Sequence, residues 1–267
     1  MQIGGRSVAR DCAFTSTLSL TEPPRAKDKS VSARMRDLFH RFANWTAARF
    51  MRVLFGSVAH VHVLRAENAN TTGGLLLAGN HISHFDPFII SGMVRRKIDW
   101  MAMAEFFPMP VAGFFLRAVD AFPADRDRAN RATIREALTR LRCGRIVGIF
   151  PEGGIRDGNR SILHGAPLRS GVAALSHMAG VPVLPCVILG SDRLYNRRRW
   201  LPARRTSIWI AFGDLIPVRS DGDRSEARAQ TENAFTSALS ALSSELRQTF
   251  GLTESDMPHP PRERMNE

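Results

Sequence analysis

Cysteine is scarce and scattered in this 267-residue chain. Cys12, Cys143 and Cys186 are odd in number and lack the spacing of a metal site. They argue against a disulfide framework and fit a reducing compartment. Lysine is equally rare: of 37 basic side chains only Lys27, Lys29 and Lys97 are lysine, and the other 34 are arginine. No stretch approaches the ~18 uninterrupted apolar residues of a membrane span, so none is expected. Residues 1–30 are polar and rich in Arg, Ser and Thr, without the apolar core of a cleavable signal peptide. Asp11, Glu22 and Asp28 weigh against a mitochondrial-type presequence as well. There is no internal repeat and no Gly-x-Ser-x-Gly elbow, which sets aside a serine esterase.

What is abundant is positive charge. The formal net charge is +12 and the cations are nearly all planar arginine forks, which suit phosphate and carboxylate. Genomic base bias accounts equally well for Arg over Lys. The total charge still predicts attraction to something anionic: a phospholipid surface, nucleic acid or a phosphorylated substrate. Apolar residues make up 44% of the chain, which over this length supports one full core with helical additions.

From Val31 to about Phe55 the apolar residues Met35, Leu38, Phe39, Phe42 and Trp45 recur at three- and four-residue spacing, punctuated by Arg34, Arg41, Arg49 and Arg52. Such a helix either lies in a lipid headgroup layer or packs on its own domain with its arginines in water. Beyond residue 60 the text alternates. Strands are expected at 61–64, 75–78, 99–104, 118–122, 146–150, 183–189 and 207–212. Helices are expected near 87–96, 110–117, 128–142, 168–179 and 225–249. This predicts an α/β domain with a central, largely parallel sheet flanked by helices, preceded by the N-terminal amphipathic segment. The last helix carries Phe235, Leu239, Leu242 and Leu246 as a core stripe, and the Pro-rich tail after Gly251 is expected to be disordered.

The chemistry concentrates in two strings. In the first, Ala78-Gly79-Asn80-His81-Ile82-Ser83-His84-Phe85-Asp86-Pro87, a histidine stands five residues ahead of an aspartate. In a continuous helix those positions are rotated by about 140° and cannot meet. Asp86-Pro87 is a good helix start, so the segment reads as strand, turn, helix, and the turn lets Asp86 fold back on His81. A carboxylate there would fix the imidazole tautomer and support a general base. Asp86 as a plain helix cap, or His81, His84 and Asp86 as metal ligands, are the competing readings; no further His/Cys cluster supports a metal. Asn80 would brace the turn.

The second string, Phe150-Pro151-Glu152-Gly153-Gly154, ends another strand, where ligand sites of α/β sheets lie. Gly153 and Gly154 permit close backbone approach, and Glu152 can accept hydrogen bonds from a hydroxylated substrate; an ordinary Pro/Gly turn is the alternative. A third segment, Asp125-Arg126, offers a guanidinium fork for phosphate, with Arg156 and Arg169 able to join it, or else a salt-bridged surface arginine.

In order, these strings resemble the glycerolipid acyltransferases, of which the 1-acylglycerol-3-phosphate acyltransferases (PlsC-like) are common bacterial members. Asn80-His81 and Asp86 match the first block in full. Asp125-Arg126 resembles the second, with Asp120 where the family carries glycine. Phe150 to Gly153 match the third, while Gly154-Ile155 depart and Arg156 is displaced by one place. Val181-Pro182-Val183-Leu184-Pro185-Cys186-Val187 is similar to the fourth, and Leu168-Arg169-Ser170-Gly171 to the basic step before it. The resemblance covers roughly 60–215.

It implies acyl transfer without a covalent enzyme intermediate or a cofactor. His81 is the implied base and Asp86 its orienting partner. Arg126 would hold the acceptor phosphate, and Glu152 and Gly153 would shape the glycerol site. Acyl-CoA or acyl-carrier protein is the implied donor, a lysophospholipid the acceptor, and the cytoplasmic face of an anionic membrane the location, with peripheral or monotopic attachment. The division expected is a disordered leader 1–30, a membrane-associating amphipathic helix 31–59, the acyltransferase domain 60–250 and a disordered tail 251–267. Two rivals stand beside this. A nucleic-acid binder would use Arg193, Arg197, Arg198, Arg199, Arg204 and Arg205 around Tyr195 and Trp200, although the same stretch could press on lipid headgroups and no nucleic acid is expected. A catalytically silent lipid-binding relative is the other.

Overall fold

The computed structural model describes residues 35, 42, 45–47, 49–124, 131–168, 171–201, 205–218 and 223–266. The leader 1–30, Asp125, Arg126, Arg169, Arg204 and most of 31–48 lie outside them. Seven strands form one sheet: β1 (Ala59–Leu64), β2 (Leu75–Gly79), β3 (Ile98–Met103), β4 (Phe122–Ala124), β5 (Ile146–Ile149), β6 (Val183–Leu189) and β7 (Thr206–Phe212). Their spatial order is β1-β7-β6-β2-β5-β3-β4. Among the described strands only the β6–β7 pairing is antiparallel, so five neighbouring strands run one way and β1 and β7 the other.

The central strands are apolar throughout because both faces of the sheet are covered. Every residue of β2 and β6 is buried. Period-two alternation sorts their side chains. Leu76, Val147, Val183 and Val187 face a core shared with α4 (Arg131–Arg142), α5 (Val172–Ala179) and α6 (Arg224–Phe250), where Phe235, Leu239 and Leu246 form the expected stripe. Leu75, Leu77, Leu184 and Ile188 face the opposite core, closed by Ile89 and Ile90 of α2 (Asp86–Met93). Each such side chain taken fully out of water contributes roughly 1.5–3 kcal/mol.

The helix α1 (49–58) also closes that second core. Phe55 and Val58 are buried, and Phe55 packs beside Phe85 and Trp200 with ring centroids 6.2 and 6.3 Å away. Its other side shows Phe50 and Val53 at 61% and 71% exposure, continuing the exposed Phe42 and Trp45. The described part of the segment thus packs on its own domain, and its exposed Trp45, Phe50 and Val53 border the open cavity of the site. Among the described residues no helix is long and apolar enough to cross a membrane.

Two expectations need correction. The fourth strand was expected at 118–122, but α3 (Pro110–Ala118) runs to its start, and Asp120 at φ 60° turns the chain, so pairing begins only at Phe122. The tail is ordered: α7 (Pro261–Asn266) brings Arg264 into a buried ion pair with Asp192 at 2.7 Å, a long-range partnership that local composition does not reveal. Of the cysteines, Cys186 is a free buried thiol.

Candidate active site

Strand β2 ends at Gly79, and the next residue extends it sideways. The Asn80 carboxamide donates to the Ile188 carbonyl at 2.8 Å and accepts from the Ile188 amide at 2.9 Å. A side chain here replaces one rung of the β-ladder. Asn80 is fully buried and absent from the cavity wall, so its position is that of a brace and not of a substrate contact.

The chain then turns, and Asp86 folds back as the spacing suggested. Its Oδ2 lies 2.9 Å from His81 Nδ1 and accepts from the amides of Ile82 and Ser83 at 2.8 and 2.9 Å. Its Oδ1 accepts a short hydrogen bond from Ser191 Oγ. Asp86 is the first residue of α2, followed by Pro87, and its carboxylate caps the turn behind it instead of its own helix. Fully buried, it is held by four donors around two oxygens.

The Phe150–Arg156 loop grips the backbone of His81. The His81 amide donates to Glu152 Oε2 at 2.5 Å, and the His81 carbonyl accepts from the Arg156 amide at 2.8 Å. The other oxygen of Glu152 accepts from the Ile162 amide at 2.8 Å and from Ser161 Oγ at 3.1 Å. Glu152 is 4% exposed and does not line the cavity. The expectation of a substrate-facing carboxylate is therefore replaced by a buried strut between two loops. Burial pushes its carboxyl up to about 7, against the opposing pull of those hydrogen bonds.

His81 opens onto a cavity of about 2140 Å³. Phe150, Trp100, Gly153, Ile155 and Arg156 share its wall, and the apolar side of α1 forms its far side. That volume exceeds the roughly 300–1,000 Å³ of ordinary small-molecule pockets and suits a long flexible chain. Gly153 sits at φ 66°, where a side-chain-free residue lets the loop reverse at the cavity edge. The Arg156 guanidinium makes, among the described residues, only a 3.4 Å contact with the Ile155 carbonyl. Thus Asn80, His81, Asp86, Glu152, Gly153 and Arg156 come together, while Arg126 and Arg169 lie outside the described residues.

Sequence reasoning missed three contributors, Ser191, Trp100 and Tyr195. Ser191 reaches Asp86 from the turn after β6; a polar residue just past the carboxyl end of a central strand was the available signal. Trp100 and Phe150 stack under His81, and Tyr195 places its hydroxyl 2.6 Å from His84 Nδ1. Phe150 belongs to the second motif, whereas Trp100 and Tyr195 had no local sequence signal.

The sheet and its two interlocked motifs are those of an acyltransferase, and the sequence family described as Acyltransferase matches residues 60–189. Over that segment the chain is similar to the PlsC-like glycerolipid acyltransferases. The 1-acyl-sn-glycerol-3-phosphate acyltransferase of Bacillus subtilis is 28% identical over 144 residues, 54% of this chain and 69% of that protein. The enzyme of the same description from Haemophilus influenzae is 24% identical over 170 residues, 61% of this chain and 69% of that protein. The crystal structure of the 1-acyl-sn-glycerophosphate (LPA) acyltransferase PlsC from Thermotoga maritima matches with a TM-score of 0.59 at 20% identity, covering 78% of this chain and 83% of that one, a likeness of fold.

Proposed function

We propose that the protein moves a fatty acyl group from acyl-CoA or acyl-carrier protein to the hydroxyl of a lysophospholipid, with 1-acylglycerol-3-phosphate as acceptor and phosphatidic acid as product. The observation that carries this reading is the 2.9 Å contact of His81 Nδ1 with Asp86 at the cavity wall. A carboxylate at Nδ1 selects the tautomer protonated there and leaves the lone pair on Nε2. In this reading Nε2 takes the acceptor hydroxyl proton as that oxygen attacks the thioester carbonyl carbon. A C–O bond forms and the carbonyl electron pair moves onto its oxygen. The tetrahedral intermediate then collapses, the C–S bond breaks, and the proton on Nε2 passes to the departing thiolate. Asp86 stabilises the transient imidazolium, and no enzyme–acyl bond is made.

The apolar cavity takes the acyl chain. Arg156 at its wall is available to an acceptor phosphate, and Arg126 and Arg169 keep that role by motif resemblance. Asn80 and Glu152 serve the reaction through the backbone they hold. The exposed Trp45 and Phe50 at the cavity mouth, with Arg49 stacked 5.1 Å over Trp45, fit an anionic headgroup layer, so we place the enzyme peripherally on the cytoplasmic face of a membrane. One observation favours a neighbouring acceptor: Ile155 occupies the cavity wall where the family motif turns basic. Another lysolipid or an acylated amino acid is the second reading.

A thiol-release assay with palmitoyl-CoA and a panel of lysolipids tests both. Release that requires lysophosphatidic acid and vanishes in His81→Ala supports the first reading. Preference for a different acceptor selects the second, and wild-type turnover by His81→Ala removes the base assignment.

A further inference from the structure

We propose that the C-terminal segment 251–266 is a clasp that holds the His81–Asp86 pair in register, acting through the turn Ser191–Tyr195 with Arg264 as its positioning residue. The inference rests on the reading of His81 and Asp86 as the reacting pair.

The turn Ser191–Tyr195 follows β6 and touches the site at both ends. Ser191 Oγ donates to Asp86 Oδ1. The Tyr195 hydroxyl accepts from the His84 amide at 3.1 Å and lies 2.6 Å from its Nδ1. The tail grips the same turn from the other side. Arg264 Nε donates to Asp192 Oδ2 at 2.7 Å, and the His259 amide donates to the same oxygen at 3.2 Å. Arg193 reaches across to Asp256 Oδ1 at 2.6 Å and to the Ser255 carbonyl at 3.2 Å. A weaker contact ties the tail to the Glu152 loop, where the Pro258 carbonyl accepts from the Gly158 amide at 3.4 Å.

The adjacent residues Ser191 and Asp192 therefore connect the reacting carboxylate to the chain end. Asp192 and Arg264 are 0% and 2% exposed, and Arg264 also donates to the carbonyls of Ser255 and Met257. A buried ion pair is a weak source of stability, since apolar residues of like volume often serve as well. What it supplies is a fixed geometry, because each partner is costly to leave unpaired. A donor to Asp86 that drifts lets the imidazole drift with it, and a misplacement of ~1 Å can cost on the order of 100-fold in rate. Both the turn and the tail lie beyond residue 189, where the family match ends.

The test is a double-mutant cycle in acceptor-dependent thiol release, using the full chain and the lysolipid that supports turnover. Arg264→Gln should lower kcat about ten-fold with KM for palmitoyl-CoA within about two-fold, because substrate contacts are untouched. Ser191→Ala should lower kcat comparably. The double variant should be no slower than the worse single one, since removing Ser191 leaves Arg264 nothing to act through. Arg264→Lys should recover part of the loss. A kcat within about two-fold of wild type in folded Arg264→Gln overturns the clasp, as do losses that multiply in the double variant. Should Arg264→Gln fail to fold, the neutral pair Asp192→Asn with Arg264→Gln removes the stranded charge and is read by the same criterion. His81→Ala runs alongside: if it keeps turnover, the reacting-pair reading falls and the clasp with it. If it is dead while Arg264→Gln is normal, only the clasp falls.

Discussion

The imidazole of His81 lies face to face with the phenyl ring of Phe150, centroids 4.1 Å apart and planes within 8°. Phe150 stacks in turn on Trp100 at 4.9 Å and 11°, and the Trp100 indole donates to Ser91 Oγ at 2.8 Å. A single hydrogen bond at Nδ1 leaves a ring free to rock about it. The stack removes that freedom. Asp86 thus sets the edge of the imidazole and the aromatic column sets its plane, and the column is supplied by the second motif and by a strand that carries no motif.

Phe150→Leu keeps an apolar side chain under His81 and removes the stacked face. An aromatic pair adds about 0.5–1.5 kcal/mol beyond area burial, so kcat should fall between about two- and ten-fold with KM little changed. Steady-state kinetics over donor concentration check this. An unchanged kcat would mean that Asp86 alone orients the ring.

Gly148→Ala attacks the same column from inside the sheet. A Cβ at Gly148 would come 2.6 Å from Trp100 Cε3 and 2.8 Å from Ile98 Cγ2, closer than carbon atoms can approach. Trp100 must move, and overpacking of this kind costs about 1–3 kcal/mol. Both Tm and kcat should drop. Adding Trp100→Leu should restore Tm by relieving the clash and leave kcat low, because the column loses its base. Recovery of both together would show that the kinetic defect was only instability.

The distinction between these residues and those the sequence announced is physical. Six of the seven strands were legible because buried strands are short apolar runs, and the Asp86 turn was legible because Asp-Pro is a local signal. Asn80 and Glu152 were recognised as motif residues, but Glu152 was read as facing substrate and the partner that Asn80 braces was not visible. Their partners, Ile188 and Ile162, are 108 and 10 residues away, and no local rule says that a motif carboxylate points inward at backbone. The fourth strand was misplaced because Asp120 adopts a left-handed conformation that its residue type does not advertise. The ordered tail was hidden by the same cause: Arg264 has meaning only beside Asp192.

Glu152→Gln separates a strut from a substrate contact. One carboxamide end must present an N–H to the amide of His81 or of Ile162, so one buried donor loses its acceptor, at about 1–3 kcal/mol. As a strut, Glu152→Gln should lower kcat and leave the acceptor KM nearly unchanged; a substrate contact would raise that KM. The pH dependence is a second check. Burial holds this carboxyl up at about 7 in the folded chain, against about 4.3 in the unfolded one. An acid so raised stabilises the fold at low pH and loses that contribution as pH climbs through its folded value. Wild-type Tm should therefore decline between about pH 5 and 7.5, and the slope should flatten in Glu152→Gln. Identical slopes in the two proteins would remove the raised carboxyl from the account.

Asp120 stands where the family motif carries glycine, at φ 60°, a conformation that costs a non-glycine residue roughly 1–2 kcal/mol. The compensation is a cage of cations. Lys97 Nζ is 2.7 Å and Arg140 Nη2 3.1 Å from its carboxylate, and Arg145 makes a short contact with the same group. Burial alone would raise this acid; hydrogen bonds from Lys97 and Arg145, and the charges of Lys97 and Arg140, hold it well below the usual carboxylate range. A carboxyl so depressed stabilises the fold above its unfolded pKa of about 3.9 and loses that contribution as pH falls toward its folded value. Asp120→Gly relieves the backbone but leaves the three cations with Asp99 as their shared carboxylate partner in the cage. Discounting for partial solvent access, a net loss of about 1–3 kcal/mol is expected at neutral pH. Urea titrations of the two proteins should show that gap at neutral pH and a smaller one as pH falls below about 3.9, where the unfolded carboxyl takes up a proton that the folded one resists. A glycine variant more stable than wild type at neutral pH would show that the backbone cost outweighs the cage.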